Sequence, residues 1–443
     1  MTFLCNSYAN SFIQTINLLL EFRVGLEFSR LWHNTTDHKP SNTSFRLLAS
    51  LLYRTKNRAI SLGLLLIGIL ALSCLSAVVF NNVKALSTAP QSTTAKELSI
   101  TLLDKVKSHL PNASIVVGII STNGTQVYGY GNISKAISTK VNGNTIFDTA
   151  SITKTFTTTL LASMVKEGLV NLYDPVEKYL PASVKVPTYN GHGFTLEDLA
   201  THTSGLPDFP SGWIRNHTYT TRQVYSFLSN SSLMSEPGIK ANYSDFGMGL
   251  LGHILSIRAG VPYAQLVKDR ILNVLGMDST GIAMNSTAIT LSDALKSRLA
   301  KGHIGGKEVN LEFIPEAIQP AGALHSTAND LLKYIAANIG LIRTSINDII
   351  LETHLIRHEY PQLLDPFPFP SNKSLTGSYI GLGWFIETNL GTEVIQHAGG
   401  IDGYSTLIGF NPPKQEGVVI LCSCDGKDIT LPILESMRNL LYR

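Results

Sequence analysis

A serine and a lysine lie three residues apart at the start of an apolar helical pattern, within the segment Thr149 to Gly168. Apolar residues recur with helical spacing after Lys154, so the side chains of Ser151 and Lys154 are expected to share one helix face. A serine becomes a nucleophile when a neighbour removes its proton, and a lysine in an apolar, water-poor setting could be neutral enough to do so. The pattern therefore allows nucleophilic catalysis, although the same pair is common in capped surface helices.

Two further stretches could complete such a site. Tyr243 directly precedes another apolar helical run, and a phenol with a lowered pKa could relay a proton from the nucleophile to a leaving group. His397, Gly399 and Gly400 follow the strand pattern Thr392 to Gln396. Small residues let a substrate approach the backbone of an exposed edge strand, whose amides can bind a developing oxyanion. Each position alone is more typical of a helix start, a structural histidine or an ordinary turn.

Taken together and in this order, these groups resemble the SxxK, YxN and HxG motifs of the serine β-lactamase-related family. The matching elements are Ser151 to Lys154, Tyr243 to Asp245, and His397 to Gly399. That family includes class C β-lactamases, D,D-carboxypeptidases, D-aminopeptidases and related esterases. The resemblance extends over roughly residues 95–440, through segments such as FDTASITKTFT, GLVNLYDPVEKYLP and AGALHSTANDLLKY. The sequence therefore predicts a serine hydrolase of this family.

The resemblance implies a role for each of these residues. Ser151 would be the nucleophile, Lys154 the base that helps to activate it, and Tyr243 the proton relay. His397 would occupy the position of the lysine in the KTG form of the third motif. The backbone amides of Ser151 and Gly400 would form the oxyanion hole, and an acyl-enzyme on Ser151 would then be hydrolysed.

Two departures from the family pattern concern the substrate. Asp245 stands where the family often has asparagine, so an amide donor is replaced by an acceptor with a negative charge. His397 offers a substrate carboxylate a weaker positive field than lysine would, since the reference pKa of histidine is about 6.5. With Asp245 and Gly399 as the predicted substrate-binding residues, the pattern favours peptides or esters over β-lactams. The alternative function is a penicillin-binding or sensor-type domain of the same fold without turnover.

The composition limits the partners and cofactors that we expect. The chain of 443 residues is 44% apolar and has a net charge of only +3, without a basic run that would indicate nucleic acid. We expect a small-molecule or peptide substrate, and no cofactor. There is no HExxH motif, CxxC pair or histidine cluster, so we expect no metal, and isolated histidines such as His202 should be structural or exposed. The four cysteines, among them Cys422 and Cys424, form no evident framework and predict no structural disulfide.

An uncharged stretch indicates a membrane segment. Residues 59–80 carry no charged side chain and are long enough to cross a bilayer as a helix. Positive residues cluster just before this stretch, which places the N-terminus in the cytoplasm. We therefore expect the following order: a cytoplasmic segment (1–58), a transmembrane signal-anchor helix (59–80), a linker (81–94) and an extracytoplasmic hydrolase domain (95–440) on the cell membrane. Secretion after signal cleavage is the alternative.

Strand patterns at both ends of the 95–440 region enclose a series of helical patterns. Residues 114–120 and 126–131 flank an Asn-Gly turn, and four more strand patterns lie between residues 382 and 422. Helical patterns fill most of the chain between them, and another closes it at Pro432 to Tyr442. The predicted fold is α/β of the α+β type. An antiparallel sheet from the N- and C-terminal strands is flanked by helices and interrupted by an inserted, mostly helical domain.

Overall fold

The computed structural model describes residues 94–106, 112–214, 217–282, 296–311, 314–361, 377–389 and 391–442. The expected N-terminal segment, the transmembrane helix and all of the linker except Thr94 lie outside these residues. Within the described part of the chain, no helix combines the length and the apolar character needed to cross a bilayer.

Strands from both ends of the chain form one eight-stranded sheet. In chain order these strands are β1 (Ile115–Ser121), β2 (Gly124–Tyr130), β8 (His358–Glu359), β9 (Gly377–Ile380), β10 (Phe385–Asn389), β11 (Thr392–Ile401), β12 (Tyr404–Asn411) and β13 (Glu416–Cys422). Their order across the sheet is β2-β1-β13-β12-β11-β10-β9-β8, and all neighbouring pairs are antiparallel. Because β1 pairs with β13, the predicted antiparallel sheet built from both chain ends is confirmed.

Helices cover both faces of the sheet. The longer ones are α1 (Ala95–Val106), α2 (Thr153–Lys166), α4 (Thr221–Asn230), α5 (Asp245–Ala259), α9 (Ala328–Asn338) and α11 (Gly426–Leu441). The shorter ones are α3 (Leu196–Ala200), α6 (Tyr263–Val267), α7 (Asn273–Leu275), α8 (Gln319–Gly322) and α10 (Asn347–Thr353). A π-helical turn, Lys268–Leu272, joins α6 to α7, and 3₁₀ turns cover Ala150–Ile152, Val176–Tyr179 and Glu316–Ile318.

The apolar run of β13 supplies two separate cores. Successive strand residues point to opposite faces of a sheet, so Val418 and Ile420 pack in one cluster and Val419 and Leu421 in the other. The first cluster also contains the buried faces of α1 and α11, while the second contains those of α2, α5 and α9. The sheet therefore separates the two terminal helices from the helical region that lies between β2 and β8.

Helix α2 is buried on all sides, although it is rich in threonine. Its residues from Thr153 to Met164 are all buried. The Thr157 hydroxyl donates to the Pro320 carbonyl at 2.6 Å, and the Thr158 hydroxyl donates to the Leu382 carbonyl at 2.8 Å. Buried hydroxyl groups need such partners. The threonines therefore tie α2 to the segments around it and fix the helix that carries the candidate lysine.

Two small sheets in the helical region were not predicted. One contains β3 (Ile146–Asp148), β7 (Leu324–Thr327) and β4 (Gly281–Ile282), and the other is a hairpin of β5 (Gly302–Ile304) and β6 (Lys307–Val309). Strands of two to four residues are too short to show an alternating pattern. The first sheet matters for the site, because β3 leads directly into the turn that contains Ser151.

The expectation of no structural disulfide is wrong, because Cys422 and Cys424 form one. Both residues are fully buried at the end of β13, and their Cα atoms lie 5.3 Å apart. This separation falls within the usual range of disulfides. Two cysteines separated by one residue were not expected to pair, but the end of β13 brings their sulfur atoms together.

Candidate active site

The candidate nucleophile lies in a strained turn between β3 and α2. Ala150 has a φ of 47°, in the left-handed region that residues with a Cβ rarely adopt. The buried Asp148 carboxylate accepts a hydrogen bond from the Ala150 amide at 2.9 Å, and the Thr149 amide donates to the Leu324 carbonyl at 2.9 Å. These bonds hold the turn in its conformation. They present the partly exposed Ser151 at the N-terminal end of α2.

Lys154 lies in the first turn of α2 and its side chain is fully buried. Its Nζ atom lies 2.9 Å from Ser151 Oγ, 2.7 Å from the Ala321 carbonyl oxygen and 2.7 Å from Asp245 Oδ1. A lysine ammonium has three N–H donors and no acceptor. The three oxygen atoms can take all three donors, so this arrangement accommodates the charged form of Lys154.

The pKa of Lys154 is raised, which corrects the expectation of a neutral lysine. Burial alone would lower this pKa. The charge of Asp245 first, and the phenol oxygen of Tyr243 second, outweigh the effect of burial. Asp245 was predicted to bind substrate, and the structure places its partly exposed carboxylate directly against Lys154.

Tyr243 also contacts the nucleophile Ser151. Its hydroxyl donates to Ser151 Oγ at 2.8 Å, and its ring centroid lies 4.7 Å from Lys154 Nζ. The expectation of a lowered pKa is wrong. Burial raises the pKa of Tyr243, and although Lys154 opposes this effect, the negative charge of Asp245 adds to it. Tyr243 is therefore a neutral phenol at neutral pH and can donate a proton to an oxygen atom.

The N-terminus of α5 positions both Tyr243 and Asp245. Ser244 is the N-cap residue, and its hydroxyl accepts a hydrogen bond from the Gly247 amide at 2.9 Å. Serine is favoured at this position, and an aspartate in the first helical turn is stabilised by the helix dipole. The Asp245 amide donates in turn to Asp208 Oδ1 at 2.9 Å. The local sequence Tyr-Ser-Asp thus begins the helix and directs two side chains towards Lys154.

His202 supports this segment, a role that the sequence did not reveal. Its ring is buried against the Tyr243 ring with centroids 4.4 Å apart, and its Nδ1 accepts a hydrogen bond from the Ser244 amide at 3.2 Å. An accepting Nδ1 requires a neutral imidazole. Consistently, burial first and the charge of Lys154 second hold the pKa of His202 well below its usual value. The expectation that His202 is structural or exposed is confirmed, because the side chain is buried and supports the start of α5.

His397 lies on β11 and is almost completely buried. Its Nδ1 lies 2.7 Å from the Ala398 carbonyl, to which it donates, and its ring centroid lies 5.1 Å from that of Phe385. Burial, followed by the nearby charge of Lys154, lowers the pKa of His397 to about 3. His397 is therefore neutral at neutral pH, which corrects the expectation that it offers a weak positive field to a carboxylate.

The glycines of β11 let this strand approach the Ser151 turn closely. A Cβ added at Gly399 would lie only 2.3 Å from the Thr149 carbonyl oxygen, whereas one at Gly400 would meet no atom within 4 Å. The Thr406 hydroxyl of β12 also donates to the Thr149 carbonyl, at 3.0 Å. Gly399 is therefore packed against the turn and Gly400 is exposed beside it.

The end of β11 has a free side in the described chain. Pairing with β10 stops at Gln396 opposite Phe385, while pairing with β12 continues to Ile401 opposite Tyr404. Residues 397–401 thus have a strand neighbour on one side only within the described residues. Unpaired backbone N–H and C=O groups of this kind can pair with an extended ligand.

The structure brings the predicted site residues into one region. Ser151, Lys154, Tyr243 and Asp245 are in direct contact, while Gly399 packs on the turn that carries Ser151. The contact of the Ala321 carbonyl with Lys154 was not predicted, because a backbone group does not depend on the side chain that the sequence shows. The one available sign was its place in the family-like segment AGALHSTANDLLKY. Among the described residues, no cluster of three His, Cys, Asp or Glu side chains could hold a metal ion.

Comparisons with known proteins identify the family of the chain. A family model described as Beta-lactamase matches residues 103–431 of the chain. A D-alanyl-D-alanine carboxypeptidase/endopeptidase of Escherichia coli (strain K12) is 28% identical over 346 residues, covering 75% of this chain and 86% of that protein. A β-lactamase of Lysobacter lactamgenus is 25% identical over 329 residues, covering 69% and 81%.

A solved structure shows the same fold. The crystal structure of a class C β-lactamase from Rhodobacter sphaeroides superposes with a TM-score of 0.64 at 19% identity. The match covers 77% of this chain and 98% of that one. At this identity the likeness shows the fold alone.

Proposed function

Since the chain belongs to the β-lactamase family, we propose that it is a serine hydrolase that forms an acyl-enzyme on Ser151. The family fold supports serine hydrolase function, and the direct contacts of Ser151 support the covalent step. Its Oγ atom lies 2.9 Å from Lys154 Nζ and 2.8 Å from the Tyr243 hydroxyl. Both groups are within the distance needed for proton transfer in a covalent mechanism.

The proposed reaction has two halves. Once Lys154 has lost a proton, it takes the Ser151 hydroxyl proton while Oγ attacks the acyl carbon of the substrate. The amides of Ser151 and Gly400 stabilise the oxyanion of the tetrahedral intermediate, and Tyr243 gives its proton to the leaving group. Tyr243 regains a proton from Lys154. In the second half, water attacks the acyl carbon while neutral Lys154 takes one of its protons. The bond between the acyl carbon and Ser151 Oγ then breaks, the acid leaves, and Lys154 returns the proton to Oγ.

Charge at the site favours esters or peptides over substrates that need a carboxylate-binding cation. His397 is neutral, and the charge of Lys154 is matched by Asp245 at 2.7 Å. Hydrolysis of a short p-nitrophenyl ester, compared with a chromogenic cephalosporin, tests this preference. We expect a higher kcat/KM for the ester. A higher value for the cephalosporin would overturn the preference and leave the serine hydrolase function in place.

Covalent labelling tests the acyl-enzyme. The full chain is treated with a fluorophosphonate serine probe and its intact mass is measured, beside Ser151→Ala. The matched control is Ser204→Ala, because Ser204 is a buried serine whose hydroxyl, among the described residues, only accepts a hydrogen bond from the Leu206 amide at 3.3 Å. We expect one adduct on the native protein and on Ser204→Ala, and none on Ser151→Ala. Lack of an adduct on folded native protein, with binding of the probe in the cleft confirmed separately, would contradict the proposal. An adduct with substrate that forms but never turns over would favour the binding or sensor domain.

We also propose that residues 59–80 anchor the chain in the cell membrane, with the 95–440 domain on the outer side. The support is the uncharged stretch and the cluster of positive residues just before it. Recovery of full-length chain in the membrane fraction, with the domain degraded by protease added outside intact cells, is the expected result. A shortened soluble protein outside the cells would instead support signal cleavage, and protease resistance would contradict the orientation.

A further inference from the structure

Given the hydrolase function proposed above, we propose that Asp245 is a positioning residue that holds Lys154 as an ammonium through a direct ion pair. Ser151 would then be activated only in the fraction of molecules in which this ammonium has lost one proton. Asp245 acts through Lys154, and this role differs from the substrate contact predicted for its position.

The three contacts of Lys154 show which proton must leave. The Ala321 carbonyl and Asp245 Oδ1, both 2.7 Å from Nζ, are acceptors in either state and each retains one N–H donor. The third position faces Ser151 Oγ at 2.9 Å. In the ammonium it holds a donor, whereas in the neutral amine it holds the lone pair that can accept the Ser151 proton. Loss of this one proton converts the resting arrangement into the reactive one without moving a heavy atom.

Asp245 is the group that opposes this loss. Asp245 and Tyr243 raise the pKa of Lys154, and Lys154 in turn lowers the pKa of His202 and of His397, while the carboxylate of Asp208 lies beyond Asp245, with Oδ1 2.9 Å from its backbone amide. Tyr243 is a neutral phenol, and both histidines are neutral because of burial and of Lys154 itself. The Asp245 carboxylate therefore supplies the one formal negative charge among these four neighbours. An asparagine amide oxygen could accept the same hydrogen bond without that charge.

The expected consequence is a change in the pH at which Ser151 becomes reactive. For the native protein, the rate of labelling by a fluorophosphonate should rise with pH. The rising part of this curve of rate against pH, called the limb below, should have its midpoint above neutral pH. Asp245→Asn should move this limb down by about one to three pH units, the usual effect of removing one adjacent opposite charge. At a pH on the native limb, the fraction of molecules with a neutral Lys154 would then be about tenfold larger in the variant for every pH unit by which the limb has moved. Its plateau rate should be lower, because a less basic amine is a weaker proton acceptor.

Asp174→Asn is the matched control. Asp174 forms an ion pair with Lys178 at 2.8 Å on the protein surface, so the same change removes the same charge from another lysine outside the site. Labelling is measured for the full chain and both variants over a range from about pH 5 to about pH 10, after thermal unfolding confirms that each is folded. The Asp174→Asn limb should coincide with the native one.

The possible results distinguish the role of Asp245 from the hydrolase function itself. A downward movement of the limb in Asp245→Asn alone supports the role of Asp245. Labelling of Ser151 with the same limb in native protein and Asp245→Asn would overturn this role and leave the hydrolase function intact. A native limb centred below neutral pH would also overturn it, even if the variant did not fold. Absence of labelling at every pH would instead contradict the hydrolase function itself.

Discussion

Replacement of Gly399 by alanine should greatly reduce the reaction rate while the chain still folds. The added Cβ would lie 2.3 Å from the Thr149 carbonyl oxygen and 2.5 Å from Thr406 Oγ1, where ordinary contact begins at 3.4 Å. Strand β11 and the Ser151 turn must therefore move apart by about 1 Å, and displacements of this size can reduce a rate by about 100-fold. The strain should also lower the free energy of unfolding by about 1–3 kcal/mol, as overpacking usually does.

The rate is measured as ester hydrolysis or fluorophosphonate labelling, and stability as urea unfolding. Gly281→Ala is the matched control, because Gly281 also lies in a strand, has no left-handed φ and would place a Cβ in open space. We expect Gly281→Ala to keep native activity. Native activity in folded Gly399→Ala would refute the reasoning that close approach of β11 to the turn aligns the site. Equal losses in both variants would refute it as well.

Two further predictions concern stability. Arg438→Met should lower the free energy of unfolding, measured in urea, by about 3–5 kcal/mol, because it leaves the fully buried Glu387 charged without its ion-pair partner. Adding Glu387→Gln to this variant should recover part of the lost stability. A loss below about 1 kcal/mol in Arg438→Met would contradict this account. Burial lowers the pKa of His354 to about 3, so its contribution to stability is complete above its unfolded pKa of about 6.5 and is lost as the pH falls towards about 3. The free energy of unfolding should therefore fall by up to about 1.4 kcal/mol per pH unit for this residue, and His354→Gln should remove that part of the slope in urea titrations near pH 7 and near pH 5.

Six strands of the main sheet and the longer helices were predictable because their residues repeat regularly over many positions, whereas the short strands β8 and β9 were not predicted. The run Gly417 to Cys422 shows a strand buried on both faces, and the helical run after Asp245 has an N-cap serine before it and Gly260 after it. Gly168, just after the end of α2, has a φ of 70°, as expected of a glycine that stops a helix. In such elements, local pattern and tertiary packing favour the same structure.

The charges at the site were not predictable from local sequence. The charge state of Lys154 depends on its burial and on the carboxylate of Asp245, which is distant in the sequence and comes close only in the folded chain. The raised pKa of Tyr243 and the neutral state of His397 have the same origin. Motif resemblance identified these positions, but it assigned Asp245 to substrate binding, whereas the folded chain pairs its carboxylate with Lys154.

The half-paired end of β11 has a consequence for self-association. A strand edge that can accept a ligand backbone can also accept the edge of a second copy, and such edges are sites of aggregation. Here the free stretch is limited to residues 397–401 and contains two adjacent glycines, Gly399 and Gly400, which are poor strand formers. A short extended ligand can still fit this length, whereas a long intermolecular ladder cannot form. Association of two copies through this opening is therefore limited to a few residues.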